Sequence, residues 1–221
     1  MNKVTGGRAV VSGHILTDRA DIFAANERGA NFLLKNIDGK FKDVAFDYRV
    51  DDEIQNGRGT ALSDIFYRGR LDILSGNWLG YHRAYVLENN EFKDIGNTEF
   101  DKPSRILTVI SADFDNDGFD VVFMNNIAEP NKMFRIKNNG KFEEIKLEAG
   151  LEADGFGTGA AVADIDNDGV LELLISHGES KAQPLTLYKA KVEKKSKYLR
   201  IKPINKFGAP ARGATVTLIS N

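Results

Sequence analysis

The chain has 221 residues, 42% of them hydrophobic, and a formal net charge of −2, values of a globular protein able to bury a core rather than of a disordered tail. The near balance of 30 basic and 32 acidic residues excludes a global field that would draw the chain to nucleic acid, and the absence of cysteine excludes disulfides and thiolate metal sites. No apolar run is long enough to suggest a membrane-spanning helix.

The start, "MNKVTGGRAVV", has neither the apolar core of a signal peptide nor the arginine-rich character of a transit peptide, so it does not set a compartment. From residue 6 onward the sequence repeats. An acid followed by an apolar run recurs in "RADIFAANE" (19–27), "RLDILSGNW" (70–78), "GFDVVFMNN" (118–126) and "VLELLISHG" (170–178). A second register, "KFKDV" (40–44), "EFKDI" (91–95) and "KFEEI" (141–145), returns at nearly the same spacing. Between them lie "NFLLKN", "HRAYVL", "NKMFRI" and "LTLYKA". Each unit therefore reads as four short strands parted by Gly, Asn and Asp turns, with no sustained helical periodicity.

Such a unit has the size of a propeller blade, whose faces are buried only by neighbouring blades. The expected fold is all-β: a β-propeller of about four four-stranded blades at 6–56, 57–104, 105–154 and 155–190, followed by a short β segment at 191–221. Either a closed small ring or a partial propeller is compatible with that number, and the open form would expose strand edges that invite self-association or a partner chain. Phe41, Phe92 and Phe142 are expected between blades.

In the first repeat, the loop "GHILTDRAD" (13–21) keeps only Asp21 of an acidic pattern that strengthens along the chain. The second, "DIFYRGRLD" (64–72), keeps Asp64, Gly69 and Asp72, with Phe66 and Arg68 where carboxylates would stand. There the Arg68 guanidinium is expected to replace an ion by pairing with Asp64 or Asp72. The third and fourth, "DFDNDGFD" (113–120) and "DIDNDGVLE" (164–172), share D-x-D-x-D-G. Carboxylates at alternate positions of a tight loop converge, hard oxygens suit Ca2+, and the glycine supplies positive φ.

Two calcium sites are thus expected. In the fourth repeat the ligands are Asp164, Asp166 and Asp168, the Val170 carbonyl and Glu172. In the third they are Asp113, Asp115, Asp117, the Phe119 carbonyl and Asp120. Counted strictly, the closing place falls on Val121. Either that loop is one residue shorter and Asp120 reaches the ion, or the site lacks its last carboxylate; the strand register of "FDVVFMNN" is taken to favour Asp120. Three rival readings remain: an EF-hand, against which the β-rich flanks argue; a catalytic carboxylate pair, against which the regular spacing argues; and a metal-free Asp/Asn/Gly turn.

Elsewhere, His82 lies in "GNWLGYHRAYV" near Trp78 and Tyr81, a possible sugar-stacking cluster or ordinary blade packing. No nucleophile elbow, phosphate loop or histidine metal motif occurs, so no enzymatic activity is expected. The basic run Lys189 to Lys206 is either a solvated strand and linker or a contact for an anionic partner.

The acidic loops and their strands resemble FG-GAP/VCBS repeats over about residues 6–190. The tail "YLRIKPINKFGAPARGATVTLIS" (198–220) resembles the opening of an ASPIC/UnbV domain. The combination is similar to the cartilage-acidic-protein-like group. The resemblance implies a propeller commonly built of more blades than are found here, calcium at 113–120 and 164–172, and a binding or scaffolding role in protein interaction or adhesion, favouring a place outside the cytoplasm. A carbohydrate-binding lectin or a glycan-active enzyme on a propeller is the alternative.

Overall fold

The chain is described from a computed structural model, which places residues 5–146, 155–179, 181–191, 198–211, 214 and 216–219. These residues form fifteen strands and no helix, in four antiparallel sheets that follow one another along the chain. Blade 1 comprises β1 (Gly7–Gly13), β2 (Asp21–Asn26), β3 (Phe32–Ile37) and β4 (Lys40–Asp43). Blade 2 comprises β5 (Gly57–Ser63), β6 (Asp72–Asn77), β7 (Arg83–Glu88) and β8 (Glu91–Asp94). Blade 3 comprises β9 (Ile106–Ala112), β10 (Val121–Asn126), β11 (Lys132–Ile136) and β12 (Phe142–Glu144). Blade 4 comprises β13 (Gly157–Ala163), β14 (Glu172–His177) and β15 (Thr186–Lys189).

Each sheet is a meander, with strands in sequence order. Blade 4 differs from expectation in having three strands among the described residues rather than four. The described part of the tail likewise holds one isolated bridge, Ile204 to Pro210, and no strand; residues 192–197, 212, 213, 215, 220 and 221 of that predicted segment lie outside the described residues.

The core is built between blades, because successive side chains of a strand point to opposite faces. In the second strands one set of side chains lies on the side of the following blade and the alternate set on the side of the preceding one, which makes three seams between the four blades. Phe23 and Ala25 of blade 1 meet Ile73 of blade 2, together with Tyr85, Leu87 and Phe92. Leu74, Ala84 and Val86 of blade 2 then meet Val122, Met124, Phe134 and Phe142 of blade 3. Phe123 of blade 3 meets Leu173 and Ile175 of blade 4. Burial of each such side chain is worth about 1.5–3 kcal/mol, so these three seams hold the blades together.

The first strands line the inside of the arc. β1 packs on β5, β5 on β9 and β9 on β13, whereas β1 and β13 do not pack on one another in this way among the described residues. Small residues make that approach possible: a Cβ at Gly59 would lie 2.7 Å from the backbone nitrogen of Val109. Each first strand also shifts register after its first residue, between Gly7 and Ala9, Gly57 and Gly59, and Gly157 and Gly159, a bulge that strengthens the local twist. In blade 3 the same shift puts Ile106 opposite Asn126 and Thr108 opposite Asn125.

Phe92 and Phe142 occupy the seams as expected. Phe41 does not: it is exposed, on the face of blade 1 that no other blade covers among the described residues.

Candidate metal centre

The connection between first and second strands has one length in blades 2, 3 and 4. Ser63 pairs with Asp72, Ala112 with Val121 and Ala163 with Glu172. Val121 also precedes Asn126 as Asp21, Asp72 and Glu172 precede Asn26, Asn77 and His177, each ending its strand. The third loop is therefore not one residue shorter, and Asp120 does not take the place of the closing acid. Its carboxylate instead accepts hydrogen bonds from Ser63 Oγ at 2.6 Å and Ser111 Oγ at 3.1 Å. The sequence alignment misled because an aspartate happens to precede the apolar run by one place.

In all three loops the first aspartate accepts backbone N–H groups from the turn. Asp64 receives Arg68 N at 2.7 Å and Gly69 N at 2.5 Å; Asp113 receives Asp117 N at 3.1 Å and Gly118 N at 2.9 Å; Asp164 receives Gly169 N at 3.2 Å. The turn needs left-handed backbone at two places, which Asn116 and Gly118 supply at φ 55° and 90°, and Asn167 and Gly169 at 63° and 87°. Blade 2 has Tyr67 at the Asn position, at φ 54°, a conformation costing about 1–2 kcal/mol. Its ring meets that of Phe119 edge to face, centroids 5.1 Å apart.

On this frame Asp113, Asp115 and Asp117 can each bring one oxygen within 4.8 Å of the others, and so can Asp164, Asp166 and Glu172. Asp168 accepts the Val170 N–H at 3.0 Å, and Asp117 the Phe119 N–H at 2.9 Å. Glu172 is buried and accepts Ile165 N at 2.7 Å. Asp115 Oδ1 and Asp164 Oδ1 are buried atoms without a hydrogen-bond partner, an unfavourable state for carboxylate oxygens. The donor set is oxygen throughout, which fits a hard divalent cation. Burial and the neighbouring Asp117 and Asp115 push the Asp113 carboxyl up, against the pull of its two backbone donors.

Basic side chains that the sequence reading did not place now answer these charges. Arg135, on β11, binds Asp115 at 3.1 Å and also Asp117, and these bonds hold its guanidinium above its ordinary value. Lys189, on β15, reaches Asp166 at 2.6 Å, Glu172 at 2.7 Å and Asp168 at 3.0 Å, with its ammonium likewise raised by Asp166 first. Arg200 of the tail binds Asp164 and the Asn167 side chain, and Tyr198 Oη donates to the Asn167 carbonyl at 2.8 Å. Two members of the basic run, Lys189 and Arg200, thus pair with acids of the chain itself. Asn116 donates its side-chain amide to the Gly169 carbonyl, tying one loop to the other.

Among the described residues, blade 2 closes without such a cluster. Arg68 binds Asp72 at 2.9 Å, as expected from its position, while the Asp64 carboxylate takes the turn amides of Arg68 and Gly69. Asp72 is fully buried, and burial pushes its carboxyl up to about 6 against the opposing Arg68 and the Ile65 and Leu87 backbone donors. In blade 1, Asp21 is satisfied by Leu16 N, Thr17 N and Asn36 N at 2.7, 2.8 and 2.8 Å.

At the other end of the sheets His82 has a structural post. Its Nδ1 accepts Asn77 N at 3.0 Å, as the Asn31 and Asn131 side-chain oxygens accept Asn26 N and Asn126 N at 2.9 and 2.7 Å. This leaves Nε2–H to donate to Ser104 Oγ at 3.0 Å, which donates on to Asn126 Oδ1 at 2.8 Å. The ring is fully buried, and desolvation, with Lys132 nearby, lowers its pKa to about 3. One face of Trp78 is covered by the Arg58 guanidinium, 5.2 Å from the ring centre, while Tyr81 is exposed.

Two overlapping segments, 64–124 and 119–175, match the FG-GAP-like repeat. This chain belongs to the FG-GAP-like repeat family. The matched segments carry the loops of blades 2, 3 and 4. Curated relatives of this FG-GAP-like chain include cartilage acidic protein 1 of Xenopus tropicalis, 48% identical over 99% of this chain and 36% of its own length. The proteins of the same name from Homo sapiens and Mus musculus are each 45% identical over 99% of this chain, and 35% and 36% of their own lengths. The chain spans about a third of the length of these relatives.

Proposed function

We propose that this FG-GAP-like arc is a calcium-stabilised binding or scaffolding module acting through protein–protein contacts, as in adhesion, and not an enzyme. The observation that carries the reading is the pair of carboxylate triads, Asp113–Asp115–Asp117 and Asp164–Asp166–Glu172, in the equivalent loops of blades 3 and 4, which share their first two members by loop position. Orphaned oxygens in both loops support it.

The ligand set proposed for blade 4 is Asp164, Asp166, Asp168, Glu172 and the Val170 carbonyl. For blade 3 it is Asp113, Asp115, Asp117 and the Phe119 carbonyl, without a closing acid. Bound calcium would neutralise the carboxylates and cross-link the loop. Arg135, Lys189 and Arg200 hold the same carboxylates beforehand, so they compete with the ion and weaken its binding. With a Kd of roughly 10⁻⁴ M, typical of extracellular modules, millimolar calcium adds on the order of 1.4 kcal/mol per site. Such sites fill outside a calcium-poor cytosol, and the relatives named for cartilage support an extracytoplasmic place.

The test is thermal unfolding of metal-stripped protein titrated with calcium, beside Asp115→Ala and Asp166→Ala. A rise in melting temperature that shrinks in each variant supports two sites; no response at millimolar calcium would sink the reading and leave the aspartates as turn residues. Glycan binding is the competing partner class, and glycan-array signal lost in Tyr81→Ala would replace protein partners by carbohydrate.

A further inference from the structure

The turn between β6 and β7, at the end of the sheets opposite the acidic loops, carries two aromatic rings, Trp78 and Tyr81. On one side the Arg58 guanidinium lies over the Trp78 ring, 5.2 Å from its centre, and pairs with Glu27 at 2.8 Å. A cation is thus held between an aromatic face and a carboxylate. On the other side Tyr81, 59% exposed, walls a cleft of about 710 Å³ together with the connection that follows β8, which contributes Gly96, Asn97, Glu99, Asp101 and Lys102.

The main chain anchors Asp101 in this cleft: its N–H donates to the Asn97 carbonyl at 2.8 Å, and its carbonyl accepts the His82 N–H at 3.2 Å. The side chain is not answered in the same way. Its Oδ1 lies against Gly96, where a Cβ would come within 1.7 Å, and is buried without a hydrogen-bond partner, an unfavourable state for a carboxylate oxygen. Burial and the like charge of Asp94 push the carboxyl up to about 6. Arg83, which opposes that shift, is itself bound to Asp52 at 2.8 Å and to Asp94 at 3.1 Å. The lining holds two carboxylates, Asp101 and Glu99, to one ammonium, Lys102, so the charge calls for a further cation. Leu79 of the same turn, in left-handed backbone at φ 54°, is 61% exposed. Ile54, next to the Gln55 that lies against Gly80, is 83% exposed. Such apolar neighbours suit a polypeptide better than a free cation.

We propose that this cleft takes an arginine of a partner protein, its guanidinium pairing with Asp101 and lying on the Tyr81 ring, as Arg58 lies between Glu27 and Trp78. Glu99 adds a second carboxylate to the lining. Arginine suits the site better than lysine, because a planar guanidinium stacks on a ring while presenting several donors to a carboxylate. The inference rests on the proposed protein-binding role and deepens it by naming the side chain recognised; it does not depend on the carboxylate triads.

The experiment is a nuclear magnetic resonance titration of the whole isotope-labelled chain with the blocked tripeptide acetyl-Leu-Arg-Leu-amide, with and without calcium. Saturable amide shifts are expected at Tyr81 and from Gly96 to Asp101. Asp101→Asn should weaken binding about tenfold, the loss of one charge-assisted contact, and citrulline in place of the peptide's arginine should abolish the shifts. Tyr81→Ala, at an exposed ring, serves if Asp101→Asn does not fold, and should weaken binding severalfold. No shifts at millimolar peptide, equal binding of the citrulline peptide, or indifference to both substitutions would overturn the inference. An oligosaccharide that moves the same amides while the peptide does not would assign the cleft to a glycan instead. A chain that ignores the peptide but still melts higher with calcium would sink the arginine site while sparing the calcium-stabilised module. Peptide binding by a chain blind to calcium would do the reverse.

Discussion

Blade 2 and blade 4 fold the same loop with opposite electrostatic solutions. In blade 2 the charge of buried Asp72 is met by a guanidinium four residues earlier in the same loop, a cation supplied by covalent attachment. In blade 4 four acidic residues face Lys189 and Arg200, which arrive from β15 and from the tail. The turn amides that hold Asp64 and Asp164 are common to both, so the backbone does not depend on which solution is used. The comparison separates folding of the loop, which the first aspartate and the glycine secure, from neutralisation of the carboxylates, which is open to exchange.

The largest effect should come from giving blade 2 the chemistry of blade 4. Arg68→Asp leaves Asp72 buried beside new like charge, and should cost about 2–3 kcal/mol in urea unfolding without calcium, given that removing one partner of a buried pair costs about 3–5 kcal/mol and Arg68 is partly exposed. Recovery of much of that loss on adding calcium would show that the two solutions interchange; a loss that calcium does not touch would break the comparison. A similar exchange exists at the opposite end of the sheet, where blade 2 uses His82 and blade 3 uses Asn131 for one backbone N–H.

His82 is neutral in the fold, with its pKa lowered to about 3, and protonates near 6.5 when unfolded. Stability is thus full above that pH and falls as pH drops from about 6.5 towards 3, by about 2 kcal/mol between pH 7 and pH 5. Denaturant melts at the two pH values should show this, and His82→Asn should flatten the dependence.

Asp166→Ala comes next. It should remove one site's share of the calcium effect, about 1.4 kcal/mol at millimolar calcium, or a melting shift of roughly 3–6 °C, seen by calorimetry. The smallest change should be Lys189→Met, which removes a competitor and should tighten calcium binding severalfold by isothermal titration; weaker binding would mean that the ammonium orders the loop rather than competing for it.

Much of the blade architecture was legible because strand period, turn residues and repeat length agree at every level. The Arg68 pairing was legible for the same reason: a cation placed among acids at fixed loop spacing has few other partners. What was not legible depended on contacts distant in sequence. Asp120 reads as the missing ligand in a linear alignment, yet only the pairing of Val121 with Ala112 fixes which way each side chain faces. Arg135 and Lys189 lie about twenty residues beyond the acids they bind, and although Lys189 opens the basic run, nothing in the sequence ties either side chain to those acids. His82 read as part of a sugar-stacking cluster or as blade packing, while its equivalence to Asn31 and Asn131 is visible only once the turns are superposed on the sheets. Phe41 was assigned to the core by likeness to Phe92 and Phe142, and it is exposed because, among the described residues, no other blade packs on that face of blade 1.

The hydrogen bond from Asn116 to the Gly169 carbonyl has a bearing on how the two loops would respond together. A loop held by its neighbour would lose less freedom when filled second than when filled first, so under the proposed two-site reading ordering would be shared between the sites and occupancy would become cooperative. The protein would then read calcium over a narrower concentration range than two separate loops could. Asn116→Ala should return the titration to two shallow, independent steps with little change in the final plateau.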